Sequence, residues 1–197
     1  MAESGNEVSK QTLFICITAS LLAGFLLGIF YSDRSPQTGG QTVQQSMEPS
    51  KQEQLLQAIA SLELAVKENP NSVEAWTRLG NAYYDTDQEK KAIEAYSRSL
   101  AIVPGNPSVL TDLGVMYRHS GQPDKAVETF NQALVVSPGF EQALYNKGIV
   151  MYYDLGKIGE ALKAWKELLL INPDARGPDG TPVSDMVDKS AAFQEKK

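Results

Sequence analysis

Few residues in this chain could do chemistry. One histidine, His119, and one cysteine, Cys16, stand among 197 residues. An imidazole works as general base or metal ligand only beside a partner that orients it, and there is no second His to share a ligand set. The lone Cys16 cannot form an intrachain disulfide, so cysteine usage is silent on redox compartment. Asp85 and Asp87 are paired acids of the kind that can serve general acid–base catalysis, yet they fall at a turn between two helical patterns and read as solvated. Lys90 and Lys91 precede Glu94 at i,i+4 and i,i+3 spacing, the pattern of a solvated helix face. Nucleophile elbow, phosphate loop and metal pair are all missing from the sequence. No enzyme, cofactor, metal or small-molecule substrate is therefore expected. A formal charge of −6 without a basic run also argues against nucleic acid as partner.

The pattern that dominates the chain is a repeat. Val73 to Asn106 recurs from Pro107 to Phe140, with Leu79-Gly80 on Leu113-Gly114, Tyr83 on Tyr117, Ala92 on Ala126, Tyr96 on Phe130 and Pro104 on Pro138. A third copy starts at Glu141 and continues, after a one-residue insertion near Gly156, through Ala161, Trp165 and Pro173. Self-similarity at this period marks a stack of helix pairs. Gly80, Gly114 and Gly148 let the first helix of each pair approach its neighbour, Ala92, Ala126 and Ala161 do the same for the second, and the aromatics fill the remaining space. Each proline lies just past a second helix, where a residue that cannot continue it belongs.

Trp76, Leu79-Gly80, Tyr83, Ala92, Tyr96 and Pro104 closely resemble the marks of the tetratricopeptide repeat. The departures are Leu110 and Leu144 at the Trp place, Lys147 at the first Leu place of the third copy and Met151 at its Tyr place. The Lys147 stem can still cover apolar surface with its charge in water. The resemblance implies an all-α fold, a right-handed superhelical stack of antiparallel helix pairs, with repeats at 73–106, 107–140 and 141–174. It also implies a concave groove lined by the first helix of each pair. Carried onto this sequence, the groove is Glu74, Thr77, Asn81, Tyr84 and Asp85, then Ser108, Thr111, Val115, Arg118 and His119, then Gln142, Tyr145, Ile149, Tyr152 and Tyr153. Tyrosines offer rigid amphipathic contact area, Val115 and Ile149 an apolar floor, and Arg118 a donor for a carboxylate. A protein or peptide with apolar anchors is the partner this implies. The family's carboxylate clamp for acidic chaperone tails needs Lys, Asn, Asn, Lys and Arg. This chain has Thr77, Asn81, Asp112, Gln142 and Asn146 there, which argues against such tails.

The flanks complete the layout. Lys51 to Glu68 carries Leu55, Leu56, Ile59, Leu62, Ala65 and Val66 at helical spacing, and Ala58, Leu62 and Ala65 match Ala92, Tyr96 and Ser99. Residues 51–72 thus read as the second half of a repeat, capping the first full one. Residues 175–197 hold the turn Gly177-Pro178-Asp179-Gly180 and a closing helix with Val183, Met186, Val187 and Ala191 inward.

Residues 1–11 are a polar leader, 12–31 an uncharged stretch of about the length that crosses a bilayer, and 32–50 a flexible tether. The apolar run is too long for a signal peptide and ends without a small-x-small site, so the expectation is one N-terminal transmembrane anchor. Cys16, Ser20, Gly24 and Gly28 recur every fourth residue as a packing face for a transmembrane helix partner. Lys10 and the leader amine against Arg34 orient the repeats toward the periplasmic side of a bacterial inner membrane. This layout is similar to envelope proteins that hold apocytochrome c for maturation. A membrane-anchored binding scaffold is the expected function. The alternatives are a permanent subunit of a membrane complex and, in the opposite topology, a cytosol-facing import or targeting receptor.

Overall fold

The computed structural model describes residues 50–194. The anchor read at 12–31, with its face of Cys16, Ser20, Gly24 and Gly28, lies outside the described residues. Within them, no helix is long and apolar enough to cross a membrane.

Among the described residues eight α-helices follow one another: α1 Lys51–Glu68, α2 Val73–Tyr84, α3 Glu89–Ile102, α4 Pro107–His119, α5 Pro123–Val136, α6 Glu141–Ile149, α7 Ile158–Ile171 and α8 Val183–Gln194. There is no strand among the described residues, only one isolated bridge between Arg176 and Pro182. Polar side chains cap the first turns of α1, α2 and α4, where N–H groups lack intrahelical partners. Ser50 and Glu53 form a reciprocal capping box on α1, Ser72 accepts from the Ala75 N–H, and Asn106 accepts from those of Ser108 and Val109.

Each pair is locked the same way. A Cβ added at Gly80 would stand 2.5 Å from the Tyr96 ring, and one at Gly114 or Gly148 would run into Phe130 or Trp165. Ala92, Ala126 and Ala161 are fully buried on the partner helix. Tyr96, Phe130 and Trp165 are each at most 1% exposed, and burying such a side chain contributes on the order of 1.5–3 kcal/mol. Leu100, Val115, Tyr117, Val127, Leu134 and Leu155 pack against more than one core cluster, so apolar contact runs along the whole stack.

The third pair carries the insertion, and the structure places it just before Gly156, at the end of the first helix. In the earlier pairs Gln88 N–H bonds Tyr83 O and Gln122 N–H bonds Tyr117 O, but Lys157 N–H bonds Met151 O, one residue further on. Val150–Asp154 widens into a π turn that absorbs the extra residue. Such turns re-aim side chains, here those of Tyr152, Tyr153 and Asp154.

The two ends differ. Ala58 of α1 holds the place of Ala92 yet is exposed, since no first helix lies against it among the described residues. At the other end α8 buries Val183 and Val187, and Met186 and Ala191 pack on the same cluster as α7.

Candidate protein-binding groove

Residues placed on the groove by their repeat position fall into three groups. Around α2 and the start of α4, much of the polarity is already used. Thr77 Oγ1 shares a 2.7 Å hydrogen bond with buried Ser99, and Asn81 Oδ1 accepts from Tyr96 Oη at 2.9 Å. Tyr84 stays 36% exposed, its ring 6.4 Å from that of exposed His119. Burial first, then Asp112 and Asp85, pushes the Tyr84 phenol up from its ordinary pKa. Thr111 presents little to a ligand: it is 4% exposed and its hydroxyl donates to Pro107 O.

In the middle, Val115 is half-buried between two core clusters. Arg118 is not a free cation. Its Nε lies 2.6 Å from Asp154 Oδ2, with both side chains about a third exposed at 31%. The partner comes from the π turn, so the insertion that re-aims Asp154 also takes up the charge that the sequence offered to a ligand carboxylate.

Asp112 is the charge left over. Half-buried on α4, it makes no hydrogen bond or ion pair among the described residues, and burial pushes its carboxyl up to about 6. A carboxylate taken from water without a partner is destabilising, which makes Asp112 a feature for a ligand or for nothing in the fold.

The far end is aromatic. Tyr152 stands 4.8 Å from Tyr153 edge-on and 5.7 Å from buried Trp165, while Tyr153 is 64% exposed. Together with Tyr145 and Ile149 these line a cavity of about 400 Å³, whose far wall is Met186, Lys189 and Ser190 of α8. Gly177 admits the Tyr145 hydroxyl, because a Cβ there would stand 2.6 Å from it. Burial and Asp179 push the Tyr145 phenol up.

Sequence reasoning used Asp112 only as a mismatch to the clamp and missed Asp154 and Ser190. Ser190 had a legible signal: it falls one helical turn from Met186 and Val187 and two from Val183, on an otherwise apolar face. A larger cleft of about 610 Å³ lies between α3 and α5, walled by Leu100, Leu110, Leu113, Val135 and Val136. It offers only Ser97 and Gln132 as polar groups, and the Ser97 hydroxyl donates to Ile93 O. Among the described residues no acidic, His or Cys cluster could hold a metal.

Residues 73–136 match the family profile described as Tetratricopeptide repeat. The chain is similar to the crystal structure of MamA protein at 30% identity and TM-score 0.57, covering 61% of this chain and 65% of that one. The Sgt2 TPR domain from Aspergillus fumigatus is 25% identical with TM-score 0.55, over 63% of this chain and 80% of its own. The first TPR of Spaghetti (RPAP3), solved bound to HSP90 peptide SRMEEVD, is 20% identical with TM-score 0.57, over 62% and 93%. That last likeness is one of fold alone. No curated protein matches the sequence. Solved chains that match number 262, so the fold by itself selects no partner. The segment from 73 to 136 thus matches the tetratricopeptide-repeat profile, and the described residues around it form an all-helical stack of that fold.

Proposed function

We propose that this protein is a scaffold that holds a segment of a partner protein in its groove, displayed from a membrane by the helix read at 12–31. The RPAP3 repeat, a neighbour of the same fold solved with a bound peptide, supports a protein-binding role. The observation that carries the finer reading is the charge of the groove. Among the groove positions carried from the repeat the one Lys or Arg, Arg118, is neutralised by Asp154, Asp112 has no counter-charge, and Lys189 of α8 stands exposed beside the aromatic end. Such a surface suits a neutral or basic segment with apolar anchors and repels an acidic one of the SRMEEVD kind seen on the RPAP3 repeat. Display on the periplasmic side, in assembly or maturation of an envelope protein such as a c-type cytochrome, is the task this layout favours.

The small-residue face of Cys16, Ser20, Gly24 and Gly28 favours a second reading, a permanent subunit packed through its membrane helix. In-membrane crosslinking of the full-length protein separates the two. Under the scaffold reading, Tyr152→Ala plus Tyr153→Ala abolishes partner capture and Gly24→Leu plus Gly28→Leu does not. The reverse pattern would replace it with the subunit reading.

A further inference from the structure

The cavity at the α8 end of the groove holds a feature that the fold does not need. Ser190 is 3% exposed and lines the cavity, and its hydroxyl makes no hydrogen bond among the described residues. The helical hydroxyls of Ser97, Thr111 and Thr129 behave otherwise, each donating to the carbonyl one turn back. Among the described residues no side-chain oxygen or nitrogen is both sealed from solvent and unpaired. The Ser190 hydroxyl is therefore open to the space beside it, and that space is the cavity.

The surroundings narrow what could fill it. Tyr145, Ile149, Tyr152 and Met186 supply aromatic and apolar wall, suited to a flat ring. Its volume of about 400 Å³ falls in the ~300–1,000 Å³ range of sites that enclose organic groups. At the rim Asp179 already accepts from both the N–H and the hydroxyl of Thr181, so that turn is satisfied within itself. Lys189 is exposed, and beside the phenols of Tyr145, Tyr152 and Tyr153 the Ser190 hydroxyl is the buried one of the lining that is left unengaged.

We propose that this cavity is the specificity pocket of the groove and takes a tyrosine side chain of the bound segment, its ring against Tyr152 and Met186 and its phenol hydroxyl paired with Ser190. Phenylalanine fits the walls but leaves a buried hydroxyl unpaired, and aliphatic side chains lose the ring contacts as well. The assignment rests on the peptide-holding reading of the groove.

The test uses the full chain in lipid nanodiscs and a phage-displayed library of random dodecapeptides. Selected peptides are then resynthesised with a fluorophore, in Tyr and Phe versions, and bound by fluorescence polarisation to wild type and to Ser190→Ala. The expected result is a tyrosine at one fixed place, about fivefold weaker binding of the Phe version to wild type, and a Tyr-to-Phe ratio near one on Ser190→Ala. Selected peptides without a fixed tyrosine, or a Tyr-to-Phe ratio that Ser190→Ala leaves unchanged, would overturn the pocket assignment. An empty selection would instead overturn the groove reading beneath it.

Discussion

The inside of each helix pair and the face those pairs turn to the groove follow opposite rules. Inside, three repeats use one device, a glycine under an aromatic ring and a buried alanine opposite, as in Gly80–Tyr96, Gly114–Phe130 and Gly148–Trp165. On the groove no row repeats: Asn81 is held by Tyr96, Arg118 by Asp154, and the third row is tyrosine. What recurs is what the fold requires of every copy, and what differs is free to select a partner.

The sharpest way to break that contrast is to fill the repeated lock. Gly114→Val puts a Cβ and its two methyl groups where Phe130 already lies, and neither helix can yield without opening the core on both sides. Overpacking of this kind costs on the order of 3 kcal/mol or more, which thermal unfolding followed by circular dichroism would read as a large drop in Tm. A drop of only a degree or two would mean that the lock is not what holds the pairs.

Asp112 tests the other side, since it sacrifices stability for surface. Its folded pKa of about 6 lies above the ordinary 3.8, so between those values the folded chain holds the extra proton. Stability from this group is present below the unfolded pKa and is lost as pH rises through about 6. Asp112→Asn should therefore raise stability by about 1–2 kcal/mol at pH 7.5, discounted for partial exposure. The gain should shrink toward zero near pH 4. Urea unfolding at the two pH values checks it, and a gain that does not depend on pH would show that burial of the charge is not the cause.

These two positions also show how much was legible. The glycine, alanine and aromatic marks repeat, and periodicity reads whatever repeats, so helix order, pairing and the inward face of α8 followed from pattern. A charge that appears once has no period. The insertion was visible as an offset, but whether it would sit in a loop or widen a helix depends on which carbonyls the next N–H groups find. The π turn at Val150–Asp154, with the Arg118–Asp154 pair it creates, is settled by three-dimensional contact alone. The burial of Thr111 was illegible for a like reason: its hydroxyl turns to a backbone carbonyl one turn away.

A smaller effect separates the copies at the turn inside each pair. Asp87, Gly121 and Gly156 occupy one repeat position and all have positive φ, 54°, 73° and 65°. Only Asp87 carries a Cβ there. Asp87→Gly should stabilise by about 0.5–1 kcal/mol, the strain relieved less the chain entropy that glycine adds. The reciprocal Gly121→Asp should cost a similar amount, and equal melting curves for all three chains would leave the turn without a role in setting stability.

The smallest expected change in stability carries the largest expected change in binding. Tyr153 is 64% exposed and touches the fold chiefly through its edge contact with Tyr152, so Tyr153→Ala should shift stability by less than about 0.5 kcal/mol. An aromatic at the mouth of the cavity is nonetheless the type of residue that dominates binding energy, where truncation costs about 2 kcal/mol or more. Capture of the partner by Tyr153→Ala should fall at least tenfold while its unfolding midpoint stays with wild type. Were stability and capture to fall together, Tyr153 would belong with the repeated interior, and the division between residues that fold this chain and residues that bind would fail at the most exposed aromatic among the described residues.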